Sequence, residues 1–212
     1  MKAYRTLGQR ASAEFVEKKS RFIGHACPVE TEEEALAFLE SIRREHRDAT
    51  HNCYAYTVGQ NMGIMRYSDD GEPGGTAGLP MMDVLKKRDV RNCCVVVTRY
   101  FGGVLLGAGG LVRAYTHGTA IALDAARVVV MEPSRHLLCE VAYPMWDRVQ
   151  HWLKDQPVQV LSTEFTTAVT FTLAVRERDE AEVEAGLIRL TDSRVEILPE
   201  DVMWQAWDAG ED

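Results

Sequence analysis

The sequence predicts an α+β protein with two domains, and three observations support this prediction. Apolar, β-branched runs alternate with segments of helical spacing up to residue 132. A second series of strand and helix signals fills the rest of the 212-residue chain. The charge balance differs between the two parts, because 17 Lys and Arg oppose 16 Asp and Glu up to Glu132, whereas 7 oppose 16 from Pro133 onward.

The first predicted domain, 1–132, alternates strands with helices. Thr31 and Glu34 have the spacing of a capping box, which predicts a helix start. The run NCCVVVTRY is so uniformly apolar that we expect it in the centre of a sheet. The predicted strands are SRFIGHACPV (20–29), HNCYAYTVG (51–59), NCCVVVTRY (92–100) and VVVM (128–131). Further helices are predicted over 81–88 and 111–127.

The second predicted domain, 136–207, has strand and helix signals in the order βαββαβ. They are RHLLCEVAY, MWDRVQHWLKDQ, VQVLSTEF, TAVTFTLAV, RDEAEVEAGLIRL and RVEIL. This order is typical of the ferredoxin-like fold. The boundary is predicted at 131–135, because Pro133 lacks the N–H that a continuing ladder needs.

Composition favours a cytoplasmic protein that does not enter a membrane. No apolar run reaches the length of a membrane span, and the first residues lack the apolar centre of a signal peptide. The five cysteines are odd in number and form no CxxC pair, as expected of reduced cytosolic thiols. Cys93 and Cys94 are neighbours on one predicted strand, so their side chains should enter opposite faces of the sheet.

The first glycine-rich segment is RYSDDGEPGGTAGLP (66–80), a predicted loop with three carboxylates. Its spacing does not fit a calcium loop, whereas Mg²⁺ shared with a phosphate ligand, or a simple acidic turn, remains open. The predicted loop and accessory site residues are His51, Arg66, Asp69, Asp70, Glu72, Gly75 and Thr76.

The second glycine-rich segment, FGGVLLGAGG (101–110), leads into a predicted helix. It contains neither the phosphate loop of nucleotide kinases nor a complete GxGxxG, because position 112 is valine. Its backbone could accept an anion at the helix start, or its glycines could serve close packing alone. The predicted ligand- or anion-binding residues are Arg99, Gly102, Gly103, Gly107, Gly109, Gly110 and Arg113.

Three other patterns bear on chemistry. A basic patch is predicted from Lys86, Lys87, Arg88 and Arg91. The pairs His25/Cys27 and His51/Cys53 could form a zinc site if their strands were neighbours, although buried strand cysteines are the commoner explanation. Neither GxSxG nor HExxH occurs, so we predict no catalytic residues, no bound metal and no cofactor.

The segments THNCYAY (50–56), DDGEPGGTAGLP (69–80) and VVVTRYFGGVLLGAGGLVRAY (95–115) resemble the YigZ/IMPACT family in its bacterial two-domain form. The resemblance implies a first domain like ribosomal-protein S5 domain 2 and a ferredoxin-like second domain. Eukaryotic relatives regulate translation through a ribosome-associated activator of a starvation-responsive kinase. The family supplies no established catalytic residue.

Two functions follow as hypotheses. The first is a binding protein in translation that contacts RNA, the ribosome or a translation-associated protein through the glycine-loop face. The second is an enzyme or binder for a phosphorylated or nucleotide ligand at the same loops. Both expect the two glycine loops to meet. A carboxylate of Asp69, Asp70 or Glu72 should then lie within hydrogen-bond reach of an arginine or a loop amide.

Overall fold

The computed structural model describes residues 2–210 and contains ten strands and five helices among them. The strands are β1 (Tyr4–Leu7), β2 (Ala11–Glu17), β3 (Ser20–Pro28), β4 (His51–Val58), β5 (Ile64–Ser68), β6 (Cys93–Tyr100), β7 (Val128–Val141), β8 (Val158–Phe165), β9 (Val169–Arg176) and β10 (Glu196–Asp208). The helices are α1 (Glu32–Glu45), α2 (Gly78–Lys87), α3 (Ala108–Ala126), α4 (Tyr143–Leu153) and α5 (Glu180–Leu190).

The chain forms two compact units. Among the described residues, the N-terminal unit contains Tyr4–Val130 together with 207–210, and the C-terminal unit contains Met131–Ala206 and residues 2–3. The mixed α+β class predicted from sequence is therefore confirmed. No helix among residues 2–210 is long and apolar enough to cross a membrane.

The N-terminal unit is built on an antiparallel sheet of order β2-β3-β6-β4-β5. Side chains of β6 alternate between two cores: Cys93 packs with α2 and α3, whereas Cys94 packs with α1. Helices cover the central strand on both faces, and this explains why its sequence is apolar without alternation. The predictions that this strand is central and that the two cysteines face opposite sides are confirmed.

Helix α1 begins as the capping pattern predicts. The Glu34 amide donates to Thr31 Oγ1 at 3.2 Å, and the amide of Glu30 donates to the Glu34 carboxylate at 2.7 Å. Helices α2 and α3 both begin three residues before their predicted starts, at Gly78 and Ala108. The last two glycines of the second glycine-rich segment are therefore helical.

The C-terminal unit follows the predicted order of β7, α4, β8, β9, α5 and β10. In its sheet β7 pairs with β9 and with β10, and β8 lies beyond β9. Helices α4 and α5 cover one face of this sheet. The prediction that Pro133 interrupts the strand is wrong, because β7 runs through it. Its ladder with β9 begins only at Ser134, so that ladder needs no N–H from Pro133.

Candidate functional site

Three connections meet at one end of the N-terminal sheet. Ladder pairs Glu17↔Ser20, Arg21↔Tyr100 and His51↔Arg99 place the end of β2, the start of β3, the end of β6 and the start of β4 together. The pair Tyr54↔Ser68 adds the end of β5. We call this region the loop end, and it comprises the turn 17–20, the loop 69–77 and the loop 101–107.

A buried ion pair joins the first glycine-rich segment to strand β6, which leads directly into the second segment. Arg99 Nη1 donates to Glu72 Oε1 at 2.7 Å, and the hydroxyl of Tyr115 on α3 donates to the same oxygen at 2.7 Å. Arg99 is 5% exposed and Glu72 is 8% exposed. The expected contact between a loop carboxylate and an arginine is confirmed. The guanidinium also lies over the rings of Phe22 and Phe101, at 5.5 and 5.4 Å from their centroids.

His51 connects this ion pair to the backbone of the first loop. Its Nδ1 lies 2.8 Å from the carbonyl oxygen of Asp70, so Nδ1 carries the proton. Its Nε2 is 3.8 Å from Glu72 Oε2. Burial raises the pKa of the neighbouring Cys53 thiol well above its ordinary value, and that thiol donates to the carbonyl of Asp69 at 2.9 Å. These groups hold the loop against β4.

Asp69 organises the turn that precedes α2. Its carboxylate accepts hydrogen bonds from the amides of Gly75 at 2.8 Å, Ala77 at 3.0 Å and Gly78 at 2.8 Å. Burial raises the pKa of Asp69, but these three hydrogen bonds outweigh it, and the pKa lies below its ordinary value. The carboxylate is therefore occupied by loop amides.

Asp69→Asn should destabilise the N-terminal unit by about 1 kcal/mol at neutral pH, because an amide replaces one acceptor oxygen with a donor. A depressed folded-state pKa stabilises the protein above the unfolded-state pKa of about 3.9 and ceases to do so as pH falls through the folded-state value. The difference in free energy of unfolding between wild type and variant, measured by urea denaturation, should therefore shrink below that pH. Asp83→Asn, on the exposed side of α2, is the control, and an equal loss there would contradict this role.

The surface of the loop end is apolar and basic. Leu105 is 82% exposed, Phe101 is 45% exposed and Val104 is 39% exposed. Exposed cations lie next to this tip, since the backbone of Lys19 contacts Gly102, and Lys18 and Arg113 line one groove with Leu106. Among residues 2–210, four of them take part in no described ion pair, and they are Lys18, Lys19, Arg47 and Arg113. This surface differs from the buried ion pair beneath it in that its charges remain accessible.

The predicted basic patch lies at the opposite end of the sheet. Lys86 and Lys87 occupy the last turn of α2, whose first turn is at the loop end. Arg88 pairs with Asp124 on α3, and Arg91 pairs with Asp89 at 2.9 Å. Sequence proximity to the first loop thus did not translate into spatial proximity, because the helix carries these residues away from it.

The remaining predicted site residues have separate positions. Arg113 is exposed and Arg99 is buried, so the two do not jointly bracket the second loop. Thr76 Oγ1 donates to the carbonyl of Pro73 at 2.6 Å, and Arg66 Nε lies 3.8 Å from Glu32 Oε1. Asp70 Oδ2 accepts the amide of Asn52 at 2.7 Å. Backbone φ is positive at Gly75, Gly103 and Gly107, and Gly109 and Gly110 lie in α3.

The zinc hypothesis is wrong. Cys53 packs in the core under α2 and α3, whereas Cys27 packs against the core under α1. Strand β6 also separates the two strands that carry the His/Cys pairs. Within residues 2–210, no group of three or more His, Cys, Asp or Glu side chains is arranged to hold a metal ion.

Lys18 and Lys19 are surface residues that the sequence predictions missed. They form the two-residue turn between β2 and β3 and both have positive φ, 45° and 66°. Such turns favour Asn-Gly, so the Lys-Lys pair gives no turn signal. The adjacent basic dipeptide between two apolar runs was the only available indication.

The fold and the site together define a two-unit α+β protein whose N-terminal unit holds its first glycine-rich loop, through a buried ion pair, against the strand that leads into the second. Comparison with known proteins identifies the family. The Impact N-terminal domain matches residues 18–123, and a domain of unknown function, DUF1949, matches residues 139–194. The chain belongs to the IMPACT family.

Its relatives span bacteria and eukaryotes. The IMPACT family member YvyE of Bacillus subtilis is 38% identical over 92% of this chain and 90% of its own length. YigZ of Escherichia coli is 35% identical over 85% and 90%. The Protein IMPACT homolog of Dictyostelium discoideum is 39% identical over 48% of this chain and 29% of its own length. The crystal structure of a hypothetical protein superposes with a TM-score of 0.58 at 32% identity, over 93% of this chain and 97% of that one.

Proposed function

We propose that this protein is a cytoplasmic binding protein in translation that contacts RNA, the ribosome or a translation-associated protein through the loop end. One observation carries the proposal: an apolar tip at Phe101, Val104 and Leu105 lies beside exposed cations that take part in no ion pair described among residues 2–210. Apolar surface of this kind on a soluble protein commonly marks an interaction site. The cations would attract phosphate or carboxylate groups.

The buried ion pair supports this proposal as a device that fixes the binding surface. Arg99 and Tyr115 both donate hydrogen bonds to Glu72 Oε1 inside the unit. They bind the first loop to the strand that leads directly into the second loop. A rigid scaffold under an exposed loop reduces the ordering cost of binding.

We also propose that the two units have the folds that the resemblance implies, ribosomal-protein S5 domain 2 and ferredoxin-like. Support for the second comes from the order βαββαβ and from the ladders that join β10 to β7, β7 to β9 and β9 to β8, with both helices on one face. Two domains of these types occur in proteins of translation, which is the context proposed for this chain.

A nucleotide or other phosphorylated ligand is the second candidate function. Arg113 favours it, because Nη1 lies 3.5 Å from the position that a Cβ on Gly109 would take, over the first turn of α3. A helix start beside a free guanidinium is suited to an anion. Here too the loop end would be the binding surface, but the ligand would be small.

Co-sedimentation with ribosomes and with ribosomal RNA tests the first function. The protein should associate at low salt, and association should weaken as salt rises. In a plot of the logarithm of the association constant against the logarithm of salt concentration, the slope should fall in magnitude by about 0.7–0.9 for each phosphate contact removed. The variant with Lys18→Glu and Arg113→Glu should lose association. Lys86→Glu with Lys87→Glu is the matched control at the opposite end of the sheet and should retain it.

Failure of the wild type to associate at low salt would refute a role on RNA or the ribosome. Equal losses in the variant and in the Lys86/Lys87 control would show that net charge, rather than the loop end, governs association. The second candidate would be favoured instead if the protein did not associate with ribosomes and its melting temperature rose when nucleotide was added.

A further inference from the structure

A groove runs beside the loop end between strand β2 and helix α3. It has a volume of about 470 Å³, within the usual range for ligand pockets. The strand side is formed by residues 15–18, and the helix side by Gly110, Arg113, Ala114 and His117, which recur at helical spacing. Leu106 completes the lining.

The strand wall of this groove is an unpaired sheet edge. Strand β2 pairs with β3 and, among the strands in residues 2–210, with no other. The two-residue turn makes Glu17↔Ser20 a hydrogen-bonded pair, so the N–H and C=O groups of Val16 and Glu14 point away from β3. Val16 is 67% exposed. An edge of this kind accepts an additional strand.

The floor and the rim of the groove differ in chemistry. Phe15, Leu106 and Ala114 supply apolar floor, and the His117 ring packs edge-on against Phe15 at 4.6 Å. Lys18 and Arg113 contribute positive charge at the rim, and Glu17 contributes the one carboxylate of the lining. The groove therefore suits an apolar side chain that is followed by negative charge.

We propose that an extended, acidic segment of a partner protein binds in this groove as an added strand on β2, with an apolar side chain on the floor and carboxylates at Lys18 and Arg113. Strand addition supplies main-chain hydrogen bonds, and alternate side chains supply specificity. RNA would satisfy the cations but could not continue the ladder, because it lacks the peptide N–H and C=O groups that an added strand supplies. This inference rests on the proposed function, since it names the partner class at the loop end.

The test uses the full-length protein and a pooled set of labelled synthetic peptides that alternate Glu or Asp with Val, Leu or Phe. Fluorescence anisotropy should show saturable binding, and amide shifts should concentrate in β2 and α3. Peptides with Lys in place of every acidic residue should bind about tenfold more weakly or less. Peptides N-methylated on the edge that faces β2 should be weakened similarly, because they cannot donate to it.

Protein variants locate the binding. Lys18→Glu with Arg113→Glu should lower the affinity for the acidic peptides about tenfold or more. Lys86→Glu with Lys87→Glu should leave that affinity unchanged. No saturable binding, or equal binding of N-methylated peptides, would overturn the inference. The inference would also be overturned if an RNA oligonucleotide displaced all of the bound peptide and N-methylation left the peptide affinity unchanged. Ribosome association that persists without peptide binding would overturn this inference and leave the proposed function standing.

Discussion

Arg99→Ala should lower the free energy of unfolding of the N-terminal unit by about 3–5 kcal/mol. The change removes the cation that lies 2.7 Å from Glu72 and leaves that carboxylate 8% exposed without its charge partner. Tyr115 can donate one hydrogen bond but cannot neutralise the charge. Urea denaturation monitored by circular dichroism measures the loss.

Two further variants separate the ion pair from general effects of arginine removal. Arg113→Ala, on the exposed side of α3, should change stability by no more than about 0.5 kcal/mol. Glu72→Met combined with Arg99→Met should recover part of the loss, because an apolar pair leaves no uncompensated charge. An Arg99→Ala protein as stable as Arg113→Ala would show that the buried ion pair contributes little.

Gly102→Ala should have the second largest effect, a loss of about 1–3 kcal/mol together with displacement of the second loop. A Cβ at this position would collide with the carbonyl of Lys19 and the amide of Ser20, which are backbone atoms. The turn 17–20 and the loop 101–107 must then separate. Thermal unfolding measures the stability, and trypsin cleavage at Lys18 and Lys19 should become faster as the turn loosens.

Gly74→Ala is the matched control for this glycine. A Cβ there meets no atom within 4 Å, and the residue does not have positive φ. It should therefore unfold at the wild-type temperature and resist trypsin equally. Equal behaviour of the two variants would contradict the close approach between the turn and the second loop. Because Lys18 borders the β2–α3 groove, Gly102→Ala should also lower the affinity of the protein for acidic peptides.

Sequence patterns identified most elements with an apolar face to bury. Strand β6 and helix α1 were predictable because β-branched runs and a capping pattern are local signals. Strands β2 and β5 were missed, since they lie at the two edges of the sheet and are largely exposed. An edge strand buries too little to require a strong apolar alternation.

The candidate site was only partly predictable for a related reason. Charge chemistry indicated that a carboxylate of the first loop would meet an arginine, and Glu72 does meet Arg99. A loop amide was the other expected partner, and Asp69 does accept hydrogen bonds from three of them. Which amides these are was not predictable, because it depends on how the turn folds back. Arg113 was grouped with Arg99 by its position beside the glycines, yet the structure exposes one and buries the other.

By itself, the sequence determined the α+β class and the IMPACT resemblance, because these follow from local patterning and motifs. The meeting of the two glycine-rich segments was a hypothesis until the structure showed Arg99 bonded to Glu72. Only the tertiary structure decided which charges are accessible. Ladder register brings Lys18 and Lys19 to the loop end, whereas helix α2 carries Lys86 and Lys87 to the other end of the sheet. Strand order and helix direction bring together residues that are far apart in the chain, so a motif taken alone does not reveal which charges share a surface.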